Sequence, residues 1–218
     1  MFVGHLAVAL AAKKVEPKLS LTALVAATFG LDLLWPIFLL VGLETVRVDP
    51  AATPFTPLDF VSYPWSHSLL LALGWGAFAA WLASRSGSAR MAAIVAAVLV
   101  SHWLLDFVSH RPDLPVWPGG PLVGLGLWYS IHTTIVVEGA MLVAGLALYV
   151  RAAPARDWMG HVALWSFVAV TSAIWLSGPV SPPPPSTQAI AIGGIAGGIV
   201  FLLWAQWIER RRPATVQR

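Results

Sequence analysis

The stretch RMAAIVAAVLVSHWLLDFVSH, residues 90–110, decides how the chain is read. Its first half is fit for lipid, while its second half carries His102, Asp106 and His110, three groups that lipid rejects. A spacing of four places all three on roughly one face of a helix. An ionisable group at bilayer depth costs about 2.5 kcal/mol or more on insertion scales, so the row is expected to meet partners from neighbouring segments.

The rest of the chain agrees with lipid as its solvent. Of 218 residues, 58% are hydrophobic and only 11% charged, where a soluble domain carries roughly a quarter charged residues. Mean hydropathy is +0.76. The chain has no cysteine, which excludes disulfides and thiolate metal sites and leaves imidazole and carboxylate as possible ligands. A pI near 9.7 comes from basic residues scattered singly between apolar runs, so they read as topology signals and nucleic acid is not expected as a partner. Arg210 to Arg212 read as an anchor to anionic lipid.

Spanning takes about 20 apolar residues, and six stretches come close: 19–43, 66–84, 90–109, 125–150, 159–178 and 188–208. Polar or proline-rich loops punctuate them, among them RVDPAATPFTPLD (47–59), SRSGSAR (84–90) and RPDLPVWPGGP (111–121). The expected fold is all-α: a polytopic integral membrane helical bundle of about six transmembrane helices. The opening run MFVGHLAVALAA is too short to span. Lys13 and Lys14 follow it rather than precede it, so it reads as a retained re-entrant or interfacial helix, not as a signal peptide. Residues 1–218 form one transmembrane domain, with the motifs in 1–121 and supporting helices in 122–218. If the segments alternate, only Arg47 and Arg111 of the 13 Lys and Arg fall on one side. That bias places both termini in the cytoplasm. Trp65, Trp117, Trp128, Trp158 and Trp207 suit interfacial belts.

With this topology His102 lies about 12 Å below His110 along the third span. Asp32 falls near the middle of the first span, His67 opens the second, and His132 and Glu138 lie in the outer and middle parts of the fourth. A re-entrant first helix would bring His5 to similar depth. Three chemistries compete for such a cluster. A divalent metal suits His nitrogen and Asp oxygen, with His102 and Asp106 a chelating i, i+4 pair. A proton or ion pathway uses the same groups. Haem is disfavoured, since no second His follows at one helical repeat. Of the remaining polar residues, Ser66 and Ser101 are expected to satisfy backbone carbonyls. Glu44, Asp49 and Asp59 are expected to be solvated, although Asp59 with Tyr63 could roof the site. Asp113 reads equally as a turn residue or a ligand, and His161 as structural.

GHLAVALAAKK at the start, GLDLLWP (30–36), WSHSLL (65–70) and SHWLLDFVSHRPDLPVWP (101–118) occur in that order. In this the chain resembles the YdjM-like (LexA-regulated) family of bacterial inner-membrane proteins, described as membrane-bound metal-dependent hydrolases. The resemblance covers about the first 120 residues and implies His5, Asp32, His67, His102 and Asp106 as site residues. Two positions depart from the family pattern. Its Asp-x-Asp pair is a single carboxylate here, with Leu34 at the second position, and Ser66 replaces a threonine.

Residues and resemblance together set the expectation. A multi-pass protein of the bacterial inner membrane holds a divalent metal, zinc first with manganese or iron as alternatives, on His67, His102, Asp106 and Asp32, with His5 as a further ligand. His110 and His132 would transfer protons or touch substrate at the outer mouth, and Glu138 would be a general base. The reaction would be hydrolysis of a lipid-like or envelope-derived ester, amide or phosphoester. The alternatives are a permease or ion-coupled carrier using the same groups, or a structural protein with a satisfied polar core.

Overall fold

A computed structural model of the chain describes residues 1–85 and 87–214; Arg218, counted above among the basic residues, lies outside them. Among the described residues there are nine α-helices: α1 (Val3–Val15), α2 (Leu21–Thr28), α3 (Gly30–Leu40), α4 (Pro64–His67), α5 (Leu69–Ser84), α6 (Ala89–Ser109), α7 (Ile131–Ala152), α8 (Trp158–Ser177) and α9 (Thr187–Arg211). Helices α6, α7, α8 and α9 are each long and apolar enough to cross a membrane, and α2 with α3 makes a fifth span bent by 55°. The expected second span falls short. Its first turn goes to α4, and the 16 residues of α5 are fewer than the ~20 a straight crossing needs. The molecule is thus an all-α membrane bundle with four to five full spans rather than six.

Local chemistry sets the helix ends. Ser20, Ser68, Ser88, Ser130, Asp157 and Ser186 each cap a helix, accepting a backbone N–H three residues on. The bent first span is where the sequence and structure differ most. The helix breaks at Phe29, so a new helix begins inside the bundle with Asp32 in its first turn, where the positive end of the helix dipole favours a carboxylate. Pro36 then removes the N–H that would bond the Asp32 carbonyl. Such irregular backbone is tolerated in a membrane protein where protein surrounds it or it lines a cavity.

Helix α1 is neither interfacial nor exposed. Val3, His5, Leu6, Ala9 and Leu10 are buried, its main partner is α7, and its N-terminal end lies inside the bundle. A methyl on Gly145 of α7 would overlap the Ala7 carbonyl, so the two backbones meet at a contact only glycine allows. At the far end of α1, Lys13 donates to Glu209 (2.7 Å) and Arg90 pairs with Glu16 (3.2 Å). Arg211 pairs with Asp157 (3.0 Å), and Arg212 is buried against Tyr149 and the Gly160 carbonyl. The arginine run is therefore largely engaged in joining helix ends, not a free lipid anchor.

Two small antiparallel hairpins interrupt the loops. Strands β1 (Thr45–Val48) and β2 (Leu58–Ser62) pair so that Arg47 opposes Asp59, and β3 (Leu114–Pro115) pairs with β4 (Leu122–Val123). The proline-rich segment 47–59 supplies the inner ends of both strands and, at 49–57, the connection of the first hairpin.

Candidate metal centre

On α6, buried positions recur at Val95, Val98, Leu99, His102, Trp103, Asp106 and Ser109, the face turned into the bundle. Around Asp106 the other elements add their polar groups. His5 Nε2 from α1 lies 3.1 Å from Asp106 Oδ1, and His102 Nε2 lies 3.1 Å from Oδ2. His67 Nε2 from α4 lies 3.7 Å from Asp106 Oδ2 and 3.5 Å from Asp32 Oδ1, while His102 Nε2 is 3.7 Å from the same Asp32 oxygen. All five expected ligands meet. Two sets, His5–His102–Asp106 and Asp32–His67–His102, have donor atoms within 4.8 Å of one another.

Several of these separations exceed a hydrogen bond, which peaks near 2.9 Å. They match the ~3.3 Å between ligand atoms around a tetrahedral ion held at 2.0–2.1 Å. The charges argue the same way. The His5 and His102 rings stack at 3.8 Å, nearly parallel, and two imidazolium charges that close would repel by about 4 kcal/mol at an effective dielectric of ~20. With neutral imidazoles the two carboxylates outweigh the positive charge around them, an excess that a cation would offset. A cation already rests against this carboxylate: the Met1 ammonium donates to Asp106 Oδ1, and to Ser109 Oγ at 3.0 Å.

The outer nitrogens explain why the inner ones point where they do. His102 Nδ1 lies 2.7 Å from the Thr28 carbonyl, the last residue of α2 before the break. A carbonyl only accepts, so Nδ1 carries the proton and the Nε2 lone pair faces the site. Among the described residues, His102 Nε2 faces only the Asp106 and Asp32 carboxylates. His67 is tied differently. Glu44 accepts from Ser66 Oγ (2.7 Å) and from the Ser66 N–H (2.7 Å), and Ser66 Oγ meets His67 Nδ1 at 2.7 Å. With Glu44 ionised the hydroxyl proton goes to it, so His67 Nδ1 donates to Ser66 and Nε2 is free for a metal. Burial pushes the Glu44 carboxyl above its usual range, opposed by the Ser66 bonds. Glu44 is thus no solvated loop residue, and Ser66 satisfies a carboxylate and an imidazole rather than a backbone carbonyl. Ser101 does bond a carbonyl, that of Val98 (2.6 Å).

His110 is not at a watery mouth. It is 3% exposed, because the 111–126 loop and the first hairpin close over it: its ring lies 4.8 Å from Phe60 and 4.4 Å from Trp128. His110 Nδ1 meets Asp113 at 3.0 Å and the Tyr63 hydroxyl at 3.1 Å, and Tyr63 also donates to Asp113 (3.1 Å). Nε2 faces Asp106 at 3.9 Å. Asp113 is therefore the orienting carboxylate of an Asp–His pair. Arg111 links Asp113 (2.9 Å) to Asp59, which pairs with Arg47 (2.9 Å). Tyr63 packs against the His67 and His110 rings, whereas, among the described residues, Asp59 is tied to this group only through Arg111. Burial and the charge of Asp113 hold the Tyr63 phenol well above its ordinary range.

Two expected catalytic residues stand elsewhere. His132 is exposed on α7 and takes no part in the cluster, because its helical position turns it away from Thr134 and Glu138, which face inward. Glu138 is fully buried, but its Oε2 accepts the backbone N–H groups of Phe2 (2.9 Å) and Gly4 (3.2 Å). Those are orphan donors at the start of α1, so Glu138 anchors the helix that carries His5 and is not placed as a general base. The signals that could have revealed these roles were weak for Glu44 and Glu138, lone acids whose partners are a residue remote in sequence or backbone groups; for Asp113 the His-x-x-Asp spacing to His110 was the available signal. Trp128, assigned to an interfacial belt, packs on His110 instead.

The chain matches no family model, no curated protein and no solved structure. Its class as an all-α membrane bundle and the chemistry of its buried cluster therefore rest on its own residues.

Proposed function

We propose that this protein is a membrane-bound metal-dependent hydrolase, as its resemblance to the YdjM-like family implies, acting on a lipid-like or envelope-derived ester, amide or phosphoester. One observation carries the reading: the donor atoms of His5, Asp32, His67, His102 and Asp106 gather in two sets that share His102, with His102 and His67 oriented from behind by Thr28, Ser66 and Glu44. Such outer partners are characteristic of metal-ligating histidines. An all-oxygen and imidazole set suits zinc first, then manganese or iron. When bound, the metal would supply a Lewis acid that lowers a water's pKa toward about 7 and polarises the scissile group. His110, oriented by Asp113 and lining the cavity beside the carboxylates, would take a proton from water and return it to the leaving group. The basic residues that join helix ends around Lys13, Arg90 and Arg211 mark the cytoplasmic side of a bacterial inner membrane. The site then lies toward the outer leaflet.

A carrier is the weaker reading. Beyond His102, the inward face of α6 continues with the buried apolar residues Leu99, Val98 and Val95, which offer no relay toward the other end of the bundle.

The test is metal content by mass spectrometry after purification in detergent without chelator, for wild type, His102→Ala and Asp106→Ala. About one equivalent of transition metal in wild type, lost in both variants, is expected. Less than a tenth of an equivalent in wild type overturns the proposal. Chelator-sensitive hydrolysis of lipid esters and phosphoesters then reads the activity.

A further inference from the structure

Two cavities abut beside the carboxylates, and together they outline a guest. One, of about 380 Å³, opens onto Asp32, His67, Asp106 and His110. The other, of about 320 Å³, is an apolar groove along the glycine face of α9. Phe2, Asp32, Trp35 and Ile174 line both.

The first cavity presents donors that nothing satisfies. Trp35, Trp128 and Trp175 line it, and each has a buried indole N–H without a partner among the described residues. The Trp175 side chain belongs to a residue only 6% exposed. A buried donor left unmet is costly, so three around one cavity call for acceptor oxygens from a ligand. The groove calls for the opposite. At Gly194 an added methyl would press on Pro36 (3.1 Å), and at Gly198 it would overlap Leu33, so these two serve α3–α9 packing. Gly193 and Gly197 have nothing within 4 Å of where a Cβ would stand. Their bare face makes a trough. From Gly193 to Phe201 it runs about 12 Å, close to the ~15 Å hydrocarbon depth of one leaflet.

We propose that the protein binds an amphiphile bearing a phosphate or carboxyl ester. Its head-group oxygens sit on the Trp35, Trp128 and Trp175 indoles beside the His/Asp cluster, and one alkyl chain lies along Gly193 and Gly197. This assigns a substrate class to the hydrolase reading and rests on that reading for the chemistry, but not for the binding.

The test is photo-crosslinking of the purified protein with palmitoyl lysophosphatidic acid carrying a diazirine on its chain, mapped by peptide mass spectrometry. Label is expected on peptides holding Leu33, Trp35 and Phe201. Gly197→Leu, and independently Gly193→Leu, fill the trough and should cut labelling about tenfold with metal content unchanged. Gly74→Leu, on α5 and equally open, should leave it unchanged. Trp175→Phe should weaken labelling several-fold. The corresponding monoglyceride probe separates the sources: stronger labelling by one probe assigns phosphate or carboxyl ester as the preferred head. Labelling spread evenly over α5 and α9, or indifferent to both glycine variants, overturns the chain site. Equal labelling by a diazirine hexadecanol overturns the head-group site. A metal-free protein that still shows glycine-sensitive labelling defeats the hydrolase reading alone, and a metal-loaded protein with even labelling defeats only this one.

Discussion

Replacing Glu138 separates an anchor from a base. Its Oε2 accepts from Phe2 N (2.9 Å) and Gly4 N (3.2 Å), and the side chain is fully buried. Hydrogen bonds to a charged acceptor are worth about 1.5–3 kcal/mol each, and the carboxylate also meets the positive end of the α1 dipole, worth up to about 2 kcal/mol when buried. Glu138→Ala leaves both donors unmet, so docking of the α1 start should weaken by about 3 kcal/mol, roughly 150-fold. Glu138→Gln keeps an acceptor and loses the charge, which should cost about 1 kcal/mol, roughly fivefold. Hydrogen exchange of the first eight residues reads docking directly. It should accelerate by about two orders of magnitude in Glu138→Ala and by less than one in Glu138→Gln, with metal affinity falling in the same order because His5 leaves the cluster. Unchanged exchange in Glu138→Ala would refute the anchor. Complete loss of hydrolysis in Glu138→Gln, with α1 docked and metal bound, would restore the general base.

Other expectations are as direct. Glu44→Gln should lower metal affinity by about 10–100-fold, the usual cost of losing an outer partner, as read by competition with a chelating dye. Because burial raises the Glu44 pKa in the folded state, its contribution to stability is full below the usual 4.5 and is lost as pH rises through the raised value. Thermal melts of wild type should therefore fall across that window relative to Glu44→Gln, and parallel curves would remove Glu44 as the cause. Gly145→Ala forces a methyl onto the Ala7 backbone and should cost about 1–3 kcal/mol, seen as a lower Tm; an unchanged Tm would mean that α1 and α7 are not in backbone contact. His110→Ala should cost about 10²-fold or more in turnover with most of the metal retained, whereas His132→Ala should match wild type in both. Equal losses in the two variants would contradict the placement of His132 outside the cluster.

The His/Asp cluster was legible in the sequence because lipid makes ionisable residues conspicuous. An i, i+4 pair such as His102 and Asp106 declares its own geometry, and depth counted along a span placed Asp32 and His67 alongside. The same counting failed for His110 and His132. It measures height along a span, but it cannot tell which way a side chain turns or what folds over it. His110 sits at the end of α6, where water was expected, yet Phe60 and Tyr63 from one stretch and Trp128 from another bury it. The break at Phe29 was equally hidden, since LTALVAATFGLDLLWP is continuous hydrophobic sequence. Glycine and an acid after it hint at a new helix start, but only packing against α6 makes the freed Thr28 carbonyl useful.

Composition and periodicity by themselves determined that this chain is a helical membrane protein and that ionisable groups deep in its spans, His102, Asp106 and Asp32 among them, need partners, because the cost of a polar group in hydrocarbon does not depend on the fold. Only the tertiary structure decided which acids orient and which could bind. Glu44, Asp113 and Glu138 are single carboxylates whose roles depend on partners remote in the chain or on backbone donors: Ser66 for Glu44, the Tyr63 hydroxyl beside the neighbouring His110 for Asp113, the first amides of α1 for Glu138. Those pairings arise from short-range directional bonds, and such bonds exist only once packing has brought the two ends together.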